Sequence, residues 1–255
     1  MNYDGYRAMF EAQGKNRMGV LLWMSHPAWP SFVWQTYDYY LDPTAGYFGS
    51  RKGAEPLHVQ WNPLTDEVEV VNYSAGRQQG LQVQAEVLNL DGTRQWQRTA
   101  GVDSAEDVVE RPFALEFPAS VSEVHFVRLR LTRGTQLLSE NVYWRGRQDG
   151  NLRALRTLPS VALRARTRVE RQGARFVLTT ELENASSTPA LLVRLSPVRA
   201  TSGDRIRPML SSDNDVTLMP GERRTIRTEV EAGDARGEEP RIAVGGFNVA
   251  PARSE

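Results

Sequence analysis

Two kinds of hydrophobic pattern divide the chain, and they meet near Pro56. Residues 19–24 (GVLLWM) form a continuous apolar run, which is typical of a short strand buried on both faces. Apolar residues at helical spacing predict one helix over residues 3–17 and a second helix over residues 44–54. The chain before Pro56 is therefore predicted to form a helix, a buried strand, a long loop and a helix.

After Pro56 the period changes to two, which predicts strands with one buried and one exposed face. The alternating segments fall into two sets, separated by a polar stretch interrupted by Gly and Pro at 146–160. The first set comprises residues 67–72, 81–89, 127–131 and 137–144, and the second comprises 161–170, 174–184, 190–198, 225–232 and 241–247. The chain is therefore predicted to be mainly β, with antiparallel sandwiches at 57–153 and 154–255.

The segment 1–56 does not fit this β architecture. One buried strand with two helices cannot form a sheet that hides both of its faces, because an α/β fold needs several such units. We therefore expect residues 1–56 to be the end of a larger α/β domain.

Composition and charge exclude several classes of function. The chain has 31 basic and 31 acidic residues, so it offers no electrostatic attraction for nucleic acid. It has no cysteine, which excludes thiolate catalysis and cysteine-based zinc sites. No apolar run approaches the roughly 20 residues of a membrane-spanning helix, so membrane insertion is not expected.

Neither a metal nor another cofactor is predicted. The three histidines, His26, His58 and His125, are not spaced as metal ligands, and the latter two lie in strand patterns. Residues 213–215 (DND) offer oxygen ligands, but their spacing does not fit a helix–loop–helix calcium site. A structural turn is the favoured interpretation of that segment.

Aromatic residues are concentrated near the start of the chain. Trp23, Trp29 and Trp34 stand within a dozen residues, although the chain has only 6 Trp in 255 residues, and His26 lies among them. Tryptophan buries a large area and keeps a polar N–H that needs a partner. The cluster therefore indicates either a dense core or a wall against which a flat, partly apolar ligand can lie.

These residues resemble glycoside hydrolase family 2, in the branch of β-mannosidases and exo-β-glucosaminidases. The resemblance lies in NYDGYRAMFEA and LLWMSHPAWPSFVWQTYDYYLDPTAGYFGSRKGAEPLHVQ, then in NLDGTRQW and LLSENVYW, and finally in SSDNDVTLMPGE. It implies that residues 1–56 carry helix 7, strand 8 and helix 8 of a (β/α)8 TIM barrel. The sandwiches at 57–153 and 154–255 would then be immunoglobulin-like.

The resemblance also implies roles for the aromatic residues. Trp23 would form the floor or wall of a sugar subsite, with Trp29, Trp34 and His26 as further substrate-binding candidates. Family members are retaining glycosidases with two catalytic glutamates, and both positions would lie upstream of this chain. No catalytic residue is therefore assigned here, and the isolated chain is expected to be inactive.

Three nearby carboxylates have other predicted roles. Asp38 is expected to order its loop by hydrogen bonding, and Asp42 is expected to serve a turn or a helix cap. Glu55 ends a helix before Pro56. None of the three is expected to replace a missing catalytic glutamate.

The predicted function is that of the C-terminal portion of a retaining hydrolase acting on β-mannosides. β-Glucosaminides and β-galactosides are alternatives within the family, although Leu22 and the sequence Ser25-His26-Pro27 depart from the glucosaminidase pattern. A non-catalytic carbohydrate-binding or docking protein is the alternative from another class. The expected partners are a β-linked glycan and the N-terminal remainder of the enzyme, with homo-oligomers left open. Family analogy suggests a periplasmic or extracellular location.

Overall fold

The computed structural model describes residues 2–12, 19–31, 34–148 and 150–255. Two compact units make up the chain, one of residues 52–158 and the other of residues 1–51 together with 159–255. Each unit contains one β-sandwich, which we call the first sandwich and the second sandwich in chain order. The prediction of a mainly β chain with two sandwiches is confirmed.

The first sandwich has seven strands. They are β1 (Leu57–Trp61), β2 (Glu67–Asn72), β3 (Gln78–Asn89), β4 (Arg94–Ser104), β5 (Val108–Ala114), β6 (Val124–Arg133) and β7 (Gln136–Gly146). Antiparallel pairing gives one sheet in the order β1-β2-β5 and another in the order β4-β3-β6-β7. A short 3-10 helix (Arg153–Thr157) follows β7.

Alternation over residues 127–131 of β6 contributes to the core of the first sandwich. Val127, Leu129 and Leu131 are fully buried, whereas Arg128 and Arg130 alternate with them and are partly exposed. The three apolar residues pack in one cluster with residues from the β1-β2-β5 sheet. The period-two pattern of the sequence therefore identifies the face of this strand that points inward.

The second sandwich has eight strands. They are β8 (Arg164–Gln172), β9 (Arg175–Glu183), β10 (Ala190–Arg199), β11 (Met209–Ser211), β12 (Val216–Leu218), β13 (Arg223–Glu231), β14 (Pro240–Gly245) and β15 (Ala252–Arg253). Two four-stranded sheets, β12-β10-β14-β15 and β11-β13-β9-β8, enclose one apolar cluster. Gly173 has a φ of 62° in the tight β8–β9 turn, a conformation that favours glycine.

Two helices lie among the described residues of the N-terminal part. Helix α1 (Asn2–Glu11) is shorter than the predicted 3–17, whose last part lies outside the described residues. Helix α2 (Ala45–Gly53) confirms the predicted second helix. A Cβ atom on Gly49 would overlap the carbonyl of Tyr3, so glycine is required where the two helices meet.

Candidate functional site

The apolar segment 19–24 differs from its prediction. None of its residues belongs to a helix or a strand of the described chain, and Leu21 and Trp23 are 101% and 80% exposed. The predicted strand buried on both faces is therefore wrong for this chain as described. A strand of that type needs a neighbouring strand at each edge, and none of the described strands pairs with this segment.

The other candidate substrate-binding residues are also exposed. Trp29 and Trp34 are 68% and 54% exposed, and His26 lies at the surface with its Nδ1 atom 3.2 Å from Ser25 Oγ. Among the described rings, these three indoles make no ring–ring contact with one another. The cluster in sequence is thus not a packed core in the described chain, and its role as a ligand wall stays a prediction.

Residues 36–44 form a tight loop, which we call the aromatic hairpin. Tyr37 and Pro43 form an antiparallel bridge, and the amide of Thr44 donates to the carbonyl of Thr36 at 2.9 Å. Tyr39 and Tyr40 at its tip are exposed, with ring centroids 5.1 Å apart. The hairpin therefore presents aromatic side chains on a hydrogen-bonded backbone.

Asp38 holds the tip of the aromatic hairpin. Its Oδ1 atom accepts hydrogen bonds from the amides of Tyr40 at 2.8 Å and Asp42 at 2.9 Å. The predicted role of Asp38 in ordering the loop is confirmed. Leu41 lies between these two amides with a φ of 60°, a left-handed conformation that this hydrogen bonding supports.

Further hydrogen bonds join the hairpin to the segment that carries Trp23. The carbonyl of Ser25 accepts from the amide of Tyr37 at 2.9 Å and from Thr36 Oγ1 at 3.1 Å. Since Ser25 is two residues from Trp23, the position of the hairpin constrains that of the exposed indole. The backbones of the two aromatic segments are thus joined directly.

The start of helix α2 follows directly from the hairpin. Thr44 Oγ1 accepts from the amide of Gly46 at 3.1 Å, which satisfies one of the free amides of the first helical turn. The same hydroxyl donates to the carbonyl of Gln35 at 2.7 Å. Thr44 is therefore the helix cap, which corrects the cap alternative predicted for Asp42. Asp42 lies in the hairpin turn, the other predicted alternative, where its carbonyl accepts from the amide of Asp38 at 3.0 Å, and its buried carboxylate forms ion pairs.

Asp42 and Asp215 anchor a cluster of charges that sequence reasoning missed. Asp42 Oδ2 lies 2.5 Å from Arg205 Nη1 and 3.7 Å from Arg194 Nη2. Arg194 also contacts Asp215 Oδ2 at 2.8 Å and donates to the carbonyl of Pro43 at 2.7 Å. Both carboxylates are buried, so these arginines compensate charge that is removed from water.

At Asp215 the neighbouring arginine does not fully offset the effect of burial on the pKa. Burial raises the pKa of Asp215 to about 6, more strongly than the adjacent Arg194 guanidinium lowers it. The negative charges of Asp213 and Asp42 add to this upward shift. Asp215 is therefore a carboxyl group that changes its charge in mildly acidic solution.

The DND turn at 213–215 is structural, as predicted. Asn214 is fully buried, and its side chain accepts from the amide of Leu195 at 2.8 Å and donates to the carbonyl of the same residue at 2.9 Å.

Within the described residues, no group of three or more His, Asp or Glu side chains could hold a metal ion. Nor does any described helix have the length and apolar character that a membrane crossing requires.

Glu55 and His58 belong to a polar network of the first sandwich unit. Glu55 Oε2 lies 3.0 Å from His58 Nδ1 and accepts from Ser139 Oγ at 2.6 Å, while Glu55 Oε1 lies 2.6 Å from Lys52 Nζ. His58 and His125 lie in β1 and β6 and are buried, in agreement with their predicted structural roles. Because the serine hydroxyl donates to the carboxylate rather than to the histidine, this is not a nucleophile–base arrangement.

Comparisons with known proteins agree with this architecture. Residues 141–249 match the family model described as exo-β-D-glucosaminidase Ig-fold domain. An exo-β-D-glucosaminidase of Streptomyces avermitilis is 33% identical over 97% of this chain and 31% of that protein. A mannosylglycoprotein endo-β-mannosidase of Lilium longiflorum is 35% identical over 56% of this chain and 16% of that protein.

A solved structure of a similar enzyme has the same fold over nearly the whole chain. The exo-chitosanase CsxA of Amycolatopsis orientalis superposes with a TM-score of 0.91 at 26% identity, over 99% of this chain and 33% of that one. The chain thus spans about a third of the length of this enzyme and of the Streptomyces relative. It belongs to glycoside hydrolase family 2, in the branch of exo-β-glucosaminidases and β-mannosidases, and corresponds to a C-terminal part of such an enzyme.

Proposed function

We propose that this chain is the part of a retaining β-glycosidase that supplies an aromatic edge of the sugar subsite. The observation that carries the proposal is the exposure of Trp23 on a backbone that the aromatic hairpin holds in place. An indole plane can stack on the apolar C–H face of a pyranose while its N–H bonds a hydroxyl group. On this proposal residues 1–56 belong to the end of a TIM barrel, where the segment 19–24 pairs with strands supplied by the rest of the enzyme.

The proposal leaves the bond-breaking chemistry to other parts of the enzyme. Retaining hydrolysis requires two carboxyl groups about 5–5.5 Å apart across the scissile bond. The family resemblance assigns both to strand ends upstream of this chain, and Asp38 and Asp42 are engaged in structural contacts. The chain contributes substrate positioning, which matters because a displacement of about 1 Å can cost about 100-fold in rate.

Two substrate classes follow from different observations. The curated relatives that align over 97–98% of this chain are named exo-β-D-glucosaminidases, which supports a β-D-glucosaminide as substrate. The lily relative is named an endo-β-mannosidase and supports the β-mannoside that the sequence predicts. We propose the glucosaminide first, because its support extends over nearly the whole chain.

The test is complementation with the upstream polypeptide from the same coding region. The isolated chain should be inactive, and the assembled protein should hydrolyse nitrophenyl β-D-glucosaminide faster than nitrophenyl β-D-mannoside. The reverse order would select the mannoside. An inactive assembly, together with tight glycan binding by the isolated monomeric chain, would instead support a non-catalytic carbohydrate-binding protein.

The role of the indole is tested in the same assembly. Trp23→Ala should lower kcat/KM by about 10- to 100-fold, since it removes a stacking surface and loosens substrate position. Its effect on unfolding of the isolated chain should be small, because the side chain is 80% exposed there. Leu64→Ala, at a position that is 93% exposed, is the matched control and should leave both quantities unchanged. Unaltered kinetics of Trp23→Ala would refute the subsite role.

A further inference from the structure

The aromatic hairpin is tied to the second sandwich by arginine side chains far away in sequence. Arg194 lies on β10 and reaches the Pro43 carbonyl across 151 residues. The Arg207 guanidinium lies over the ring of Tyr40 at 4.4 Å from its centroid, a cation–π contact. These contacts all lie within one compact unit.

The two arginines that contact Asp42 are themselves held firmly. Arg194 stands opposite Gly245 in the β10–β14 ladder, so its backbone is fixed by the sheet. Arg205 forms an isolated bridge with Val198 of β10, and its guanidinium donates to Ser196 Oγ at 2.8 Å. A planar guanidinium can hold two acceptors in a defined geometry, which a flexible ammonium group cannot.

We propose that Arg194 and Arg205 are positioning residues that make the second sandwich set the position of the aromatic hairpin. Arg194 joins the buried Asp215 of the sandwich to Asp42 and the Pro43 carbonyl, and Arg205 joins Ser196 of β10 to Asp42. The hairpin in turn holds Ser25 through two hydrogen bonds. The second sandwich is thereby a part of the substrate site, a consequence that rests on the proposed function.

The structural part is tested on the 255-residue chain by hydrogen exchange. In Arg194→Gln and Arg205→Gln, the hydrogen-bonded amides of Asp38 and Thr44 should exchange about tenfold faster, because local opening no longer breaks ion pairs. Arg194→Lys keeps the charge with one donor group and should lie between wild type and Arg194→Gln. Exchange at wild-type rates in both glutamine variants would overturn the proposal.

A matched control shows whether faster exchange comes from losing the contacts with the hairpin or from losing any positive charge of the sandwich. Arg175→Gln removes an arginine of the same sandwich that pairs with Glu231 at 2.7 Å and with Glu229 at 3.5 Å, both on β13 rather than on the hairpin. It should leave the exchange of residues 36–44 unchanged, and an equal acceleration would overturn the proposal. If Arg194→Gln does not fold, Asp42→Asn removes the carboxylate that both arginines contact, and faster exchange of the same two amides is again expected. Wild-type exchange in Asp42→Asn would overturn the proposal.

The functional part is tested in the complemented enzyme. Arg194→Gln and Arg205→Gln should lower kcat/KM about tenfold, mainly by raising KM, because a displaced aromatic wall weakens binding of substrate and transition state alike. Arg194→Lys should restore part of the loss. Unchanged kinetics in an active assembly would overturn the functional inference. An inactive wild-type assembly would count against the proposed function, while the exchange measurements would still decide whether the arginines hold the hairpin.

Discussion

Replacing Asp215 by asparagine should change how the stability of the second sandwich depends on pH. The asparagine has nearly the same shape but cannot ionise. In the folded protein, burial raises the pKa of Asp215 from 3.8 to about 6, despite the neighbouring Arg194. The other charged groups that face this carboxyl are Asp213 and Asp42, and these two are paired with Arg224 and Arg205.

The sign of the change in unfolding free energy with pH follows from proton linkage. Between pH 4 and 6 the folded state binds a proton at Asp215 that the unfolded state has released. The free energy of unfolding therefore falls as pH rises through this window and is level above it. A shift of about two pH units at 1.36 kcal/mol each corresponds to about 3 kcal/mol.

The assay is urea-dependent hydrogen exchange of β10 at several pH values from 4 to 7, in wild type and Asp215→Asn. The unfolding free energy of wild type minus that of the variant should decrease by about 3 kcal/mol over this range. Asp204→Asn, which removes an exposed carboxylate from the same sandwich, controls for net charge. A difference that stays flat, or that increases with pH, would refute the reasoning because Arg194 would then outweigh burial.

Two further predictions concern buried polar groups. Asn214→Ala leaves the amide and the carbonyl of Leu195 without their side-chain partner. The free energy of unfolding, measured in urea, should fall by about 2–5 kcal/mol. A loss below about 1 kcal/mol would contradict the hydrogen-bond argument. At Glu55, burial alone would raise the pKa, but the hydrogen bond with His58 and the charge of Lys52 lower it below 4.5. The stability that ionised Glu55 provides should therefore be lost as pH falls below about 4.5, and Glu55→Gln should lack that loss; parallel acid-unfolding curves would exclude it.

The strands that the sequence predicted best are those with one apolar and one polar face. β2 has the bounds 67–72 that its alternation indicates, and β7 extends the predicted 137–144 by a residue or two at each end. β4 (Arg94–Ser104) was not predicted, since it is a sheet edge and most of its side chains are partly or fully exposed. An edge strand with few buried side chains lacks the alternation on which such a prediction depends.

At 19–24 the sequence predicted a buried strand that the described chain does not form. The composition of this segment indicates burial, yet Leu21 is fully exposed in the structure. Hydrophobicity records that a segment favours an apolar environment, but it does not say which chain provides that environment. The chain spans about a third of the Streptomyces and Amycolatopsis relatives, and on the proposed function the missing cover belongs to the rest of the barrel.

The sequence alone determined the β class, the two sandwiches, the turn at 213–215 and the local role of Asp38. All of these depend on residues close together along the chain, where the period of the backbone fixes which side chains share a face. Only the tertiary structure revealed that Asp42 is paired with Arg194 and Arg205. Those partners stand about 150 residues away, and one arginine in an alternating strand resembles any other until folding brings a buried carboxylate beside it.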